Sequence, residues 1–224
     1  MLVKFASQCY SQSAWPLRIS HVIKNVVFDI GNVFVRWSPP EVISRCFGHA
    51  PDTAENRERT ALLRSPLWLS LNRGELTGAE AELAYQAEHG LTKQQATDLL
   101  FHARDHQEPV DGTESIARRL KQAGYRLFAL TDNVHEIVAH LKARFQFWEL
   151  FEGAVVSAEI GMLKPHEGIF RHLIDNFGLA PGETVFFDDV QANVDGARRV
   201  GLQARLFTTS EQCEQDLRAL GLRF

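Results

Sequence analysis

Short apolar runs, rich in β-branched residues and closed by glycine or polar turn residues, punctuate this chain. The first is Asn25-Val26-Val27-Phe28-Asp29-Ile30, closed by Gly31-Asn32. Continuous apolarity over so few residues predicts a strand buried on both faces. Segments 126–130, 153–156, 184–187 and 203–207 repeat the pattern. Between them, apolar positions recur at helical spacing over 114–123, 165–177 and 190–200, and Gly124, Gly178 and Gly201 stand where each helix should stop. A glycine suits the left-handed residue that ends a helix. Strand–helix alternation predicts an α/β fold, a doubly wound parallel sheet covered on both faces.

The pattern changes between the first and second strands. Residues 42–47, 54–64, 79–89 and 93–104 carry apolar positions at helical spacing. Ser38-Pro39-Pro40-Glu41 and Thr77-Gly78-Ala79-Glu80 have capping-box spacing, and Asp52 and Thr92 are further helix starts. This predicts a helical cap, residues 37–111, inserted after the first strand. The core domain is then 23–36 and 112–224, and residues 1–22, rich in Ser and Gln, form an N-terminal extension.

Composition narrows the class. Among 224 residues, 45% are hydrophobic and 23% charged, which is ordinary for a globular chain. No apolar run approaches the roughly 20 residues of a membrane helix. Twenty-four Lys+Arg against 28 Asp+Glu argue against a nucleic-acid partner. Three scattered cysteines (Cys9, Cys46, Cys213) fit a reducing cytoplasm and exclude a disulfide framework or CxxC zinc site. The expected location is therefore the cytoplasm; oligomeric state has no sequence signal.

Ligands of open parallel sheets bind outside the carboxyl ends of the strands, where strand order reverses. The first strand ends in Asp29 and the second in Thr131-Asp132-Asn133. Gly161-Met162-Leu163-Lys164-Pro165 follows the third, and the fourth ends in Asp188-Asp189, with Asn193 on the next helix. Each alone is an ordinary turn or cap. Together they aim several carboxylates, a hydroxyl and a lysine at one crevice, and like charges so gathered require a cation. Hard oxygen donors are what Mg²⁺ prefers.

These residues resemble the haloacid dehalogenase (HAD) superfamily. Asp29-Ile30-Gly31-Asn32-Val33, Leu130-Thr131-Asp132-Asn133, Lys164-Pro165 and Phe186-Phe187-Asp188-Asp189 match its four motifs in order. The first motif, with Asn193 and Gly196-Ala197, is most similar to the bacterial glucose-1-phosphate phosphatase group and to the N-terminal phosphatase domain of soluble epoxide hydrolases. The resemblance implies a Rossmann-like core and a Mg²⁺-dependent phosphatase acting on a small phosphorylated metabolite, such as a sugar-1-phosphate. It implies Asp29 as nucleophile; the Gly31 carbonyl, Asp29 and Asp189 as metal ligands; and Asp188 and Asn193 acting beside the metal or through water. Thr131, Asp132, Asn133 and Lys164 are then the phosphate's partners, and Arg73 reaches the substrate from the cap.

One position departs from the pattern. Most phosphatases of this superfamily carry an acid two residues after the nucleophile, where this chain has Gly31. General acid–base help is worth about 10²–10⁴ in rate. His135, His166 or a residue near Arg73 are the candidate substitutes, and Trp68 is read as insert core that can line the substrate mouth. Two alternatives compete: a metal-free 2-haloacid dehalogenase using the same Asp29, and a catalytically weakened relative that binds without turnover.

Overall fold

The computed structural model describes residues 22–224; the expected N-terminal extension, with Cys9, lies outside the described residues. Five parallel strands form one sheet in the order β3-β2-β1-β4-β5: β1 (Asn25–Phe28), β2 (Arg126–Thr131), β3 (Gly153–Val156), β4 (Thr184–Asp188) and β5 (Gln203–Leu206). Every residue of β1 and β4 is buried, as their continuous apolarity requires. The pleat sorts their side chains to two faces. Val26, Phe28, Leu127, Val185 and Phe187 join one core cluster, and Val27, Phe128, Leu130 and Phe186 the other.

Helices cover both faces. α6 (Thr113–Gln122), α7 (His135–Arg144) and α11 (Ser210–Ala219) supply Ile116, Leu120, Ile137, Leu141 and Leu217 to the first cluster. α9 (Glu167–Phe177) and α10 (Gln191–Arg199) supply Ile169, Phe170, Leu173 and Val194 to the second. α8 (Ser157–Ile160) is a single turn after β3. The three glycines expected to stop helices all have positive φ: 89° at Gly124, 61° at Gly178 and 88° at Gly201. The segment expected to be helical from Pro165 begins instead at Glu167, because the His166 ring accepts the Gly168 N–H as an N-cap.

Between β1 and α6 lie five helices: α1 (Pro39–Phe47), α2 (Ala54–Arg59), α3 (Pro66–Asn72), α4 (Gly78–His89) and α5 (Lys93–Asp105). Thr77 and Thr92 close full capping boxes with Glu80 and Gln95. Two other expected caps differ. Ser38 makes no side-chain cap bond, and the residue that caps α2 is Thr53, one beyond Asp52, whose hydroxyl accepts from Asn56 N. The helix expected over 54–64 tightens into a 3₁₀ turn at Thr60–Arg64. The chain's two passages between sheet and insert lie side by side: Arg36 N donates to Glu108 O at 2.7 Å and Val110 N to Phe34 O at 2.9 Å. None of the described helices is long and apolar enough to cross a membrane.

Candidate active site

β1 is flanked by β2 on one side and β4 on the other, and chain direction around the sheet reverses there. The carboxyl ends of these three strands open on a crevice of about 530 Å³ beneath the helical insert. Asp29, Gly31, Thr131, Asp132, Asn133, Lys164, Asp189 and Asn193 all line it, so nearly all the residues expected from four separate segments meet at one place.

Lys164 is the centre of the arrangement. Its Nζ lies 2.9 Å from Asp29 Oδ2 and 2.7 Å from Asp188 Oδ2, and also donates to Leu130 O at 3.3 Å. The ammonium is 1% exposed. Burial disfavours its charge, but Asp29, Asp188 and Asp132 together hold its pKa above the ordinary lysine range. Asp188 is fully committed: besides Lys164, its oxygens accept from Asn193 Nδ2 (3.0 and 3.1 Å) and from Val190 N (2.8 Å). It fixes the lysine and the turn after β4.

One lysine does not balance four carboxylates. Burial, opposed by Lys164 and reinforced by Asp188, pushes Asp29 from 3.8 up to about 8. Burial also raises Asp132 and Asp189. Oxygens of Asp29, Asp188 and Asp189 lie within 4.8 Å of one another. A compact set of hard oxygens carrying excess negative charge fits a divalent cation.

Asp29 Oδ1 accepts from Ile30 N at 2.7 Å, which fixes the carboxyl while Oδ2 faces Lys164. Thr131 is 1% exposed at the end of β2. Asp132 accepts from Lys164 N at 3.0 Å and ties the β2 and β3 loops together. Asn133 folds its Oδ1 back onto Val134 N at 3.0 Å, while its own N–H donates to Ser157 Oγ at 2.9 Å.

The structure does not bring Arg73 to the crevice. Its guanidinium is held by Glu75 (2.6 Å) and Ser70 (3.2 Å) on the side of the insert. Gly74, with φ 68°, packs against the Ala158 carbonyl and turns the chain away. His135 and His166 also lie outside the lining. Trp68 does line the crevice while remaining 8% exposed.

Sequence reasoning missed two contributors. Asn32, at φ 54°, donates to Asp189, a role that motif spacing alone does not assign. Ser157 joins insert to core by donating to Asn72 O at 2.7 Å while accepting from Asn133 N. An isolated serine after a strand carries no sequence signal.

A doubly wound sheet with acids gathered on a buried lysine at its switch point is the architecture of an α/β enzyme. The chain belongs to the haloacid dehalogenase-like hydrolases, whose family model matches residues 23–201. It is 25% identical to the sesquiterpene phosphatase astK of Aspergillus oryzae, over 88% of this chain and 96% of that protein. The rat bifunctional epoxide hydrolase 2 is 28% identical over 38% of this chain, which covers 16% of that larger protein. A HAD family enzyme from Bacteroides thetaiotaomicron, solved with magnesium and inorganic phosphate, superposes with a TM-score of 0.66 at 21% identity. The alignment covers 84% of this chain and 95% of that one, and shows the shared fold.

Proposed function

We propose that the protein is a Mg²⁺-dependent phosphatase that hydrolyses small phosphate monoesters through a phosphoaspartyl intermediate on Asp29. The observation that carries this is the Asp29 carboxyl, buried at the end of β1, 2.9 Å from Lys164 Nζ and beside Asp189. The phosphatase named among the relatives over nearly its whole length supports the reaction class. The Mg²⁺ and phosphate held by the structural neighbour support the cofactor.

Asp29, Asp189 and, from the resemblance, the Gly31 carbonyl would hold the cation. Bound there, Mg²⁺ neutralises phosphoryl oxygens and lets two anions approach. The chain's own residues do the rest. An Asp29 oxygen attacks phosphorus, the bond to the leaving oxygen breaks, and the alcohol departs with a proton from solvent. Water then attacks the same phosphorus, releasing inorganic phosphate and restoring the Asp29 carboxylate. Lys164 and the Thr131 hydroxyl stabilise phosphoryl charge in both steps. With glycine at position 31, esters whose leaving group needs little protonation are favoured, sugar-1-phosphates and aryl phosphates among them.

The test is phosphate release from 4-nitrophenyl phosphate. Activity should vanish with excess EDTA, return with Mg²⁺, and fall by at least about a thousandfold in Asp29→Asn, with the fold intact. Full activity in EDTA, with halide release from 2-haloacids, would instead support the dehalogenase reading.

A further inference from the structure

The insert presents apolar side chains to the crevice: Trp37, Pro39, Leu63, Trp68 and Leu69. The indoles of Trp37 and Trp68 stack with centroids 5.7 Å apart and planes 5° from parallel. Two of the insert's amides are partly committed to backbone. Asn72 Nδ2 donates to Trp68 O at 2.8 Å and Gln107 Nε2 to Ala103 O at 3.0 Å. One charged residue of the insert, Arg64, stands at the rim. On this wall the five apolar side chains outnumber the polar ones, Arg64, Asn72 and Gln107.

The apolar surface continues in two directions. Leu69, from the insert, and Val190, from the loop after β4, both line the crevice and are 41% and 46% exposed. A second cavity of about 370 Å³ lies between α3, α4, α5 and the start of α7. Trp68 and Ile137 line both spaces; Leu71, Leu100, Phe101 and Val134 line the second alone, together with Glu82, Thr97, Arg104 and Glu136.

We propose that the leaving group is a large apolar one, a hydrophobic alcohol or phenol that lies along the Trp37–Trp68 stack and extends past Ile137 into the second cavity. The proposal rests on the phosphatase reading and deepens it. The phosphoryl group is held by the core; the insert selects the ester by burying its hydrocarbon.

The test is a series of 4-alkylphenyl phosphates from methyl to octyl, whose leaving groups share one acidity, with glucose-1-phosphate as the polar comparison. Burying hydrocarbon should raise kcat/KM about two- to fourfold per methylene until the space is filled. The longer esters should exceed the sugar phosphate at least tenfold. Ala79→Phe, which intrudes on the second cavity from an exposed position on α4, should lower the octyl-to-methyl ratio tenfold or more.

A flat series, or a sugar phosphate that matches the octyl ester, overturns this inference and leaves the phosphatase reading standing. No phosphate release from any ester with Mg²⁺ overturns the phosphatase reading itself. In that event, 4-alkylphenylphosphonates titrated against tryptophan fluorescence still decide the subsite: affinity rising with chain length upholds it, and chain-independent affinity removes it.

Discussion

Asn32 donates its side-chain amide to Asp189 Oδ2 at 2.9 Å while its Oδ1 accepts the Trp37 N–H at 2.8 Å. One side chain thus fixes a candidate metal ligand and the first residue of the helical insert. It does so from a left-handed backbone conformation, φ 54°, which asparagine tolerates better than most residues.

At the proposed Mg²⁺ site, that relationship would make Asn32 a positioning residue. Asn32→Gly keeps the backbone conformation available and removes only the amide. The Mg²⁺ concentration for half-maximal activity should rise about 10–100-fold, the typical cost of losing a group that orients a ligand. Most of the maximal rate should return at saturating Mg²⁺. Activity titrated against Mg²⁺ checks this, and an unchanged midpoint would remove Asn32 from the site.

Lys164 should prove structural as well as catalytic. Lys164→Met leaves Asp29 and Asp188 buried beside no cation, and breaking a buried pair costs about 3–5 kcal/mol. Adding Asp188→Asn removes one of the stranded charges. Urea denaturation should show the double variant recovering part of that loss, while phosphate release stays abolished in both.

Position 31 offers the opposite kind of test. Its φ is not in the left-handed region, and an added Cβ would meet only Trp37 Cβ, at 3.9 Å. Gly31→Asp should therefore fold without steric strain. If the new carboxyl protonates leaving groups, log kcat/KM should depend less steeply on leaving-group pKa, with the gain concentrated on alkyl phosphates. A slope already shallow in the unsubstituted protein would mean that another group supplies the proton.

Far from the site, Glu214 hydrogen-bonds Arg119 and Arg218, and these partners hold its carboxyl down at about 2 from an ordinary 4.5. A carboxylate with a depressed folded pKa stabilises the fold above the unfolded value, and that contribution fades as pH falls from 4.5 toward 2. The pair is solvent-screened, with side chains 28% and 36% exposed for Glu214 and Arg119, so its worth is under about 1 kcal/mol. Glu214→Gln should be slightly less stable than the unsubstituted protein at pH 7, and the gap should close near pH 2. Urea midpoints at both pH values measure it.

Much of this protein is determined locally and so was legible in the chain. The strands follow from runs such as Val26-Val27-Phe28, which only a sheet covered on both faces can bury. Gly124, Gly178 and Gly201 end helices because a left-handed residue is needed there. Asp29, Thr131 and Asp189 could be singled out because each lies at the end of an apolar strand, and Lys164 because it stands before Pro165 in the loop that follows the third.

Tertiary structure decided the rest, because most of the deciding partners are remote in sequence. Asn32 meets Asp189 across 157 positions, and Ser157 meets Asn72 across 85. Arg73, plausible for the substrate by its place in the insert, is turned aside by a neighbour two residues away and by Gly74 against Ala158. The apolar wall is likewise absent from any one segment. Trp37, Trp68, Ile137 and Val190 come from four stretches of chain, and only the packing of insert on core makes them one surface.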